Sequence, residues 1–362
     1  MKTPYIFQSA AIRELEPTVY DATQAPFCLH GLYPVREDGF FVRMPREVAQ
    51  ATSRRVGILY RNTAGARLRF ATDSAYLAVG ALYPTAELPS ARTAALCGAG
   101  ACCFDLYVDG AHCRVMWHEG VTQSGSAVTF DLADGRYESV VSFGERQMRQ
   151  ITLCFPAFLN VSGLFVGLEP GAKCEAPPPY VNADPVVFYG SSITQGACAS
   201  RAGNSYPNLL SRKFHFDYLN LGFAGACKAE EPIIDYLCRL PMRLLVYDYD
   251  HNAPSVEYLR QTHLPALRKL RAAHPEIPII LLSKPNRHKG YEDAILRRQL
   301  IEENCRILQG ESDAPIHFVD GQRIFQSHDP EMMTVDNTHP TDLGFYCMAQ
   351  ALEEVFGLYF ER

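Results

Sequence analysis

The proline-rich stretch from Pro170 to Pro185 constrains the fold of this chain most, because such a segment can continue neither a helix nor a central strand. The hydrophobic pattern also changes across it, from short alternating segments to apolar segments separated by amphipathic ones. With 362 residues, the chain is longer than one hydrophobic core usually requires. We therefore predict an N-terminal domain over residues 1–170, a linker over 171–185 and a C-terminal domain over 186–362.

Residues 60–168 alternate apolar and polar side chains over short segments, which is the pattern of half-buried antiparallel strands. An Asp-Gly pair supplies the positive φ angles that a tight hairpin turn needs. Two such pairs each separate two strand-like segments: Asp109-Gly110 between Phe104–Val108 and Cys113–Trp117, and Asp134-Gly135 between Val128–Phe130 and Tyr137–Val141. The pattern predicts two hairpins within a β-sandwich of jelly-roll type.

After the linker, the pattern becomes one of strands alternating with helices. The predicted strands are Val186–Phe188, Tyr218–Leu221, Leu244–Tyr247, Ile279–Leu282 and Ile316–Val319. The predicted helices lie near residues 205–213, 231–239, 256–273 and 291–309, with a last one after Thr341. This alternation predicts a parallel sheet with helices on both faces. Ligands bind beyond the carboxyl ends of the strands in such sheets, so we expect the site there.

The charge distribution argues against partners with a polyanionic surface. The formal net charge is -6 and no run of Lys or Arg compensates for it locally, so we predict neither a nucleic-acid nor a membrane partner. The first residues do not resemble a signal peptide, and no apolar run is long enough to span a bilayer. We therefore expect a soluble, cytoplasmic protein.

Twelve cysteines are scattered along the chain, and we expect them to be reduced residues of the core. The tightest cluster joins Cys97, Cys102, Cys103 and Cys113 with His112. It lacks the paired Cys-x-x-Cys spacing of a structural zinc site, so no metal is predicted there.

Two predicted strand ends carry residues with catalytic chemistry. The first predicted strand runs into Gly190-Ser191-Ser192-Ile193-Thr194, and Asp336-x-x-His339-Pro340 follows the last one. Asp336 can accept the Nδ1 proton of His339, which leaves Nε2 free to deprotonate the Ser192 hydroxyl. The alternatives are serines that only cap a helix and a surface loop whose Asp336 caps the next helix.

These segments resemble the blocks of the GDSL, or SGNH, hydrolase family, whose other two blocks are matched by Asn220–Gly225 and Asp250–Ala253. The resemblance implies a three-layer, flavodoxin-like α/β/α domain that needs no cofactor or metal. It also implies residue roles: a catalytic triad of Ser192, His339 and Asp336, and an oxyanion hole of Ser192, Gly225 and Asn252. Two positions depart from the family pattern, since Ser191 replaces the usual aspartate and Asp250-His251-Asn252-Ala253 replaces the usual Gly-x-Asn-Asp.

The N-terminal half resembles the β-domain of a bacterial subgroup of this family, through Phe104–Val108 and Cys154–Phe158. This resemblance implies removal of acetyl groups from carbohydrates, with an acetylated mono- or oligosaccharide as the substrate. The alternatives are a lipase-like or thioester-cleaving enzyme and a catalytically inactive carbohydrate-binding protein. An exposed edge of the β-domain is compatible with a homo-oligomer.

Two further side chains admit two interpretations each. Trp117, the only tryptophan, could stack on a sugar ring, but we expect it in the core of the sandwich. His251 could be a site residue, but we expect a solvated loop histidine beside Asp250.

Overall fold

A computed structural model of the protein describes residues 5–84, 97–118, 121–124, 127–130, 135–285, 291–326 and 329–361. The strands of the N-terminal half are β1 (Thr18–Asp21), β2 (Cys28–His30), β3 (Arg36–Glu37), β4 (Phe40–Phe41), β5 (Arg67–Thr72), β6 (Tyr76–Leu82), β7 (Phe104–Val108), β8 (Ala111–Met116), β9 (Val121–Ser124), β10 (Ala127–Phe130), β11 (Arg136–Ser142), β12 (Arg149–Cys154), β13 (Gly163–Leu168) and β14 (Cys174–Glu175). Its helices are α1 (Ala10–Arg13), α2 (Arg46–Thr52), α3 (Val56–Leu59) and α4 (Gly98–Cys102).

Two antiparallel sheets form the N-terminal β-sandwich. One has the strand order β1-β13-β6-β11, and the other has the order β14-β5-β12-β7-β8 with β2 also paired to β5. Alternate side chains of the two sheets, such as Leu68 and Phe70 on β5 and Leu77 and Val79 on β6, are buried in one core. The predicted β-sandwich is confirmed.

The two predicted hairpins have different outcomes. Strands β7 and β8 pair antiparallel around Asp109 and Gly110, whose φ angles are 51° and 81°, as the Asp-Gly turn requires. The second hairpin is wrong, because β10 pairs with β9 whereas β11 pairs with β6 along its whole length. Tyr137 and Val141 of β11 belong to the same buried core as Leu77 and Val79 of β6, which favours this pairing, and Asp134 lies outside the described residues.

The C-terminal half contains the strands β15 (Val186–Gly190), β16 (Tyr218–Gly222), β17 (Leu244–Asp248), β18 (Ile279–Leu282) and β19 (Ile316–Val319). Its helices are α5 (Ser192–Gln195), α6 (Tyr206–Phe214), α7 (Glu231–Arg239), α8 (Val256–Ala273), α9 (Tyr291–Glu311), α10 (Gly321–Ile324) and α11 (Asp342–Phe356). Short 3-10 helices span Ala202–Asn204, Asp250–Asn252 and Pro330–Met332. All five predicted strands are present, and three continue one or two residues further. No helix within the described ranges is long and apolar enough to cross a bilayer.

The five strands form one parallel sheet in the order β16-β15-β17-β18-β19. Residues of α6 and α11 share a core with one face of the sheet, and residues of α7, α8 and α9 share a core with the other. The predicted three-layer, flavodoxin-like architecture is confirmed. The strand order reverses at β15, so the carboxyl ends of β15 and β17 border the crevice where ligands bind in such folds.

Residues 42–60 lie in the N-terminal half but pack into the core of the α/β sheet. Val42, Met44, Val48 and Val56 are buried among side chains of β15, β16, α7 and α8. The two halves of the chain therefore share a hydrophobic core along this segment.

The cysteines are all free thiols, but only some of them lie in the core as the sequence analysis predicts. Six of them are buried: Cys103, Cys154, Cys198, Cys227, Cys305 and Cys347. Cys97 and Cys113 are exposed, because they lie just before α4 and on the edge strand β8.

Candidate active site

The turn from β15 into α5 presents Ser192 at the carboxyl edge of the sheet. Ser191 is the N-cap of α5, and its Oγ accepts a hydrogen bond of 3.1 Å from the Ile193 N–H. A Cβ at Gly190 would lie 2.1 Å from Thr194 Oγ1, so only glycine permits this close turn. The capping interpretation therefore applies to Ser191, while Ser192 is the first helical residue and has its hydroxyl free for another partner.

The loop before α11 brings an imidazole and a carboxylate to that hydroxyl. The distance between Ser192 Oγ and His339 Nε2 is 2.9 Å, and the distance between His339 Nδ1 and Asp336 Oδ2 is 2.8 Å. Asp336 Oδ1 also accepts from the backbone N–H groups of Thr338 and His339, at 3.1 and 2.8 Å. One carboxylate thus orients both the backbone and the ring of His339.

The charge on Asp336 is stabilised by these contacts. Partial burial would raise the pKa of Asp336, but the hydrogen bonds from the backbone and ring of His339 outweigh it and lower the pKa. A carboxylate acceptor places the ring proton on Nδ1, so the Nε2 lone pair faces the Ser192 hydroxyl. The side chains of His339 and Asp336 are 26% and 41% exposed, so the pair is open to solvent on one side.

The segment after β16 lies beside the Ser192 turn. The Phe223 N–H donates to the Gly190 carbonyl at 2.9 Å, and Gly225 has a φ of +68°, in the left-handed region that favours glycine. The Asn252 side chain follows β17 and donates to the Phe223 carbonyl at 3.1 Å. Within the described part of the chain, the N–H groups of Ser192 and Gly225 donate to no acceptor. Three potential donors to an oxyanion therefore lie at one edge of the sheet.

Two arginines from the N-terminal half hold this segment, and the sequence did not identify either as a site residue. The buried Arg43 donates to the carbonyls of Asn220 and Gly222, both at 2.8 Å. Arg55 Nε donates to the Ala224 carbonyl at 2.6 Å, next to Gly225. The only signal for Arg43 was an arginine within the apolar run from Phe40 to Met44.

Gln195 links the Ser192 turn to the same segment. Its Oε1 accepts from the Ala224 N–H at 3.0 Å, and its Nε2 donates to Asn62 Oδ1 at 3.1 Å and to the Ala157 carbonyl at 3.2 Å. The conformation of the turn thus depends on the β-sandwich half of the chain.

The predicted Phe104–Val108 strand contacts the α/β domain directly. Asp105 Oδ2 accepts from the Gly203 N–H at 3.0 Å, and the Tyr107 hydroxyl accepts from Arg201 Nη1 at 2.6 Å. A Cβ at Gly203 would lie 2.0 Å from the Tyr107 hydroxyl, so a side chain there would displace Tyr107 from this contact.

The same 200–204 segment holds the start of α11. The Ser200 N–H donates to Asp342 Oδ1 at 2.9 Å, and Asn204 Nδ2 donates to Asp342 Oδ2 at 2.8 Å. Asp342 lies three residues after His339. A continuous set of contacts therefore connects the N-terminal strand to the histidine loop.

His251 is not the solvated loop histidine that we expected. Its Nε2 is buried and has no partner among the described residues, and burial, reinforced by the positive charge of Lys284, lowers its pKa to about 3. The neighbouring Asp250 is buried in an ion pair with Arg297 at 3.3 Å, which draws the loop inward. His251 is therefore a neutral side chain close to His339.

The expectation that Trp117 belongs to the sandwich core is also wrong. Trp117 is 45% exposed. It follows Met116, the buried last residue of the edge strand β8, whose residues from Ala111 to Arg114 are exposed.

Asp248, at the end of β17, is a buried carboxyl group beneath the Ser192 turn. Its Oδ2 accepts from Thr194 Oγ1 at 2.8 Å and from the Tyr206 hydroxyl at 3.2 Å, but burial raises its pKa to about 8. In the unfolded chain the Asp248 carboxyl group has its ordinary pKa of about 4, so between about pH 4 and about pH 8 the folded state binds this proton more tightly than the unfolded state. The resulting stabilisation of the folded state is complete below about pH 4 and is lost as the pH rises through about 8.

We expect the Asp248→Asn variant, which stays neutral, to lose less stability than the wild type as the pH rises. Between about pH 4 and about pH 8, the free energy of unfolding of the wild type should fall more steeply than that of the variant, by up to about 1.4 kcal/mol per pH unit. Calorimetric melting temperatures from about pH 5 to about pH 9 measure this, with the exposed Asp184→Asn as control. Equal pH dependence of wild type and Asp248→Asn would contradict the prediction.

Two family models match successive parts of the chain. Residues 183–357 match the GDSL-like Lipase/Acylhydrolase family. Residues 18–174 match a model described as the N-terminus of SGNH-hydrolase-type esterases, named GxDLY. The sequence matches no curated protein.

Solved structures share the fold over nearly the whole chain. A protein described as a GDSL-like lipase from Bacteroides ovatus has a TM-score of 0.79 at 24% identity, covering 95% of this chain and 99% of that one. A salicylyl-acyltransferase from a tetracycline biosynthetic pathway has a TM-score of 0.71 at 21% identity, covering 94% and 97%. An acetyl xylan esterase from Butyrivibrio proteoclasticus has a TM-score of 0.58 at 9% identity, covering 95% and 100%.

Proposed function

Because the chain belongs to the GDSL-like lipase/acylhydrolase family and is a carboxylic ester hydrolase, we propose that it removes acetyl or other short acyl groups from carbohydrates. Ser192 is the nucleophile of this proposal, His339 the general base and Asp336 the residue that orients the base. The observation that carries it is the pair of short contacts, 2.9 Å from Ser192 Oγ to His339 Nε2 and 2.8 Å from His339 Nδ1 to Asp336.

The reaction begins when His339 Nε2 takes the hydroxyl proton as Ser192 Oγ attacks the ester carbonyl carbon. Negative charge then develops on the carbonyl oxygen, and the N–H groups of Ser192 and Gly225 with the amide of Asn252 stabilise it. Each such donor typically lowers the barrier by about 3–4 kcal/mol. His339 protonates the departing alcohol, which leaves an acyl group on Ser192. Water, activated by His339, then releases the acid.

A carbohydrate alcohol suits the surroundings of this site. The exposure of His339 and Asp336 leaves space for a bulky, polar leaving group. Structures that share the fold include an acetyl xylan esterase and a family two carbohydrate esterase from Cellvibrio japonicus, which supports a sugar ester as substrate. We therefore propose an acetylated mono- or oligosaccharide as the substrate.

The acyl-chain preference tests this proposal against a lipase-like or thioester-cleaving function. We expect kcat/KM for p-nitrophenyl esters to fall at least about tenfold from acetate to octanoate, because added methylene groups change the affinity for a site by about 1–3 kcal/mol each in a fitted pocket. An enzymatic acetate assay on acetylated xylo-oligosaccharides measures the sugar reaction directly. A preference for octanoate would contradict the acetyl proposal, and a protein that binds the oligosaccharide without releasing acetate would be a carbohydrate-binding protein.

A further inference from the structure

A cavity of about 450 Å³ lies between the β-sandwich, the linker and α6. Its lining includes Arg67 and Arg69 from β5, Gln150 from β12, Tyr180 from the linker and Arg212 from α6. Arg67 contacts the backbone of Tyr218 at the amino end of β16, whereas Ser192 follows the carboxyl end of β15. The cavity is therefore separate from the candidate active site.

Arg69 is the unusual residue of this cavity. It is only 6% exposed, and within the described part of the chain its guanidinium has no hydrogen-bond or ion-pair partner, with Nη1 fully buried. Its contact with the ring of Tyr180, 4.0 Å from the ring centroid, is a cation–π interaction. A buried charge without a hydrogen-bonding partner costs free energy that one aromatic ring offsets only in part.

Other buried arginines of this protein have their donors satisfied. Arg43 donates to the four carbonyls of Leu59, Asn62, Asn220 and Gly222. Arg67, beside Arg69 in the cavity, pairs with the Asp217 carboxylate and donates to the Tyr180 hydroxyl at 3.1 Å. The unpaired guanidinium of Arg69 is thus a property of this cavity and is not general to the fold.

The other side chains that line the cavity could bind an anion that also carries hydroxyl groups. Arg212 lies over the ring of Tyr107, 4.4 Å from its centroid, and has no carboxylate partner among the described residues. Gln150 Oε1 is buried without a hydrogen-bond donor. Asp109 is the one carboxylate among the lining residues that the structure describes; it is exposed and accepts from the Gln150 N–H at 2.8 Å.

We propose that this cavity binds a small sugar that carries an acidic group, either a carboxylate or a phosphate. The guanidinium groups of Arg69 and Arg212 hold the anion, and a sugar hydroxyl donates to Gln150 Oε1. The ring of Tyr180, which is only half-buried, lines the cavity beside the Arg69 guanidinium and borders the space for the sugar ring. The volume falls within the range of small-molecule pockets and exceeds the need of an inorganic ion.

Calorimetric titration of the full-length Ser192→Ala protein tests this proposal without interference from hydrolysis. The probes are glucuronate, glucose 6-phosphate, neutral glucose and inorganic phosphate. We expect one or both anionic sugars to bind at least about tenfold more tightly than glucose or inorganic phosphate, with an affinity that falls as salt is added. The anionic sugar that binds more tightly identifies the acidic group as a carboxylate or a phosphate.

Adding Arg69→Gln should weaken binding of the anionic sugar by about tenfold or more, and adding Arg212→Gln should weaken it in the same direction. Arg212 is only partly buried, so this variant keeps the test valid if Arg69→Gln does not fold. The exposed Arg54→Gln is the matched control, and melting temperatures without probe report folding. Unchanged binding in a folded Arg69→Gln or Arg212→Gln protein, equal binding of glucose or inorganic phosphate, or no binding of either anionic sugar would overturn the proposal.

Discussion

The Ser192→Ala variant should lose about 10⁴-fold or more in kcat/KM for p-nitrophenyl acetate, because it removes the proposed nucleophilic oxygen. His339→Ala should lose activity to a similar extent, since the hydroxyl would then have no base at 2.9 Å. The losses should not add in the double variant, because the two side chains act as one unit. Steady-state kinetics of the two single variants and the double variant, each compared with the wild type, measure these losses.

The neighbouring serine provides a matched control. Ser191→Ala removes the Oγ that caps α5, which should cost about 1 kcal/mol of stability, but it keeps the proposed nucleophile. We expect this variant to keep most of its turnover. Loss of activity in Ser191→Ala together with retained activity in Ser192→Ala would show that the nucleophile is assigned to the wrong residue.

The Arg43→Met variant should show the largest loss of stability, about 3–5 kcal/mol in the free energy of unfolding. Arg43 is fully buried and donates to four backbone carbonyls, which would remain buried without a donor after the substitution. Two of these carbonyls belong to Asn220 and Gly222, so the segment that carries Gly225 should lose its position. The free energy of unfolding measured with urea and the kcat for p-nitrophenyl acetate should therefore both decrease.

Arg54→Met is the control for this prediction, since Arg54 is exposed on the same N-terminal segment. It should change the free energy of unfolding by less than about 0.5 kcal/mol. Arg43→Lys keeps the positive charge but not the shape of the guanidinium, because a single ammonium group cannot reach all four backbone carbonyls that Arg43 contacts. Full stability in Arg43→Lys would contradict the assignment of the effect to the carbonyl contacts.

Much of the α/β domain follows from local pattern. The strands Ile279–Leu282 and Ile316–Val319 begin and end where the apolar segments predict. Gly190 and the serines after it could be placed at a strand end, because turns and strands depend on residues close in sequence. Asp336 and His339 are not at a strand end, because α10 and a 3-10 helix separate them from β19; they lie in the loop before α11. This loop reaches the carboxyl edge of the sheet, where residues 147 positions apart in the chain meet.

Other features depend on contacts that the sequence pattern does not specify. Hydrophobic periodicity shows that one face of a segment is buried but not which partner buries it. Residues 42–60 therefore could not be assigned to the α/β core, and β11 was given the wrong partner strand. The burial of His251 and the exposure of Trp117 follow from the position of a loop and of an edge strand, which only the assembled fold specifies.

Sequence alone thus determined the two classes of domain, the strands of the parallel sheet and the residues at their carboxyl ends, because these depend on short-range periodicity and turn chemistry. The tertiary structure decided which N-terminal residues support the Ser192 turn and left Arg69 unpaired in an interdomain cavity. Those arrangements depend on side chains that are distant in the chain and meet only when the two domains pack together.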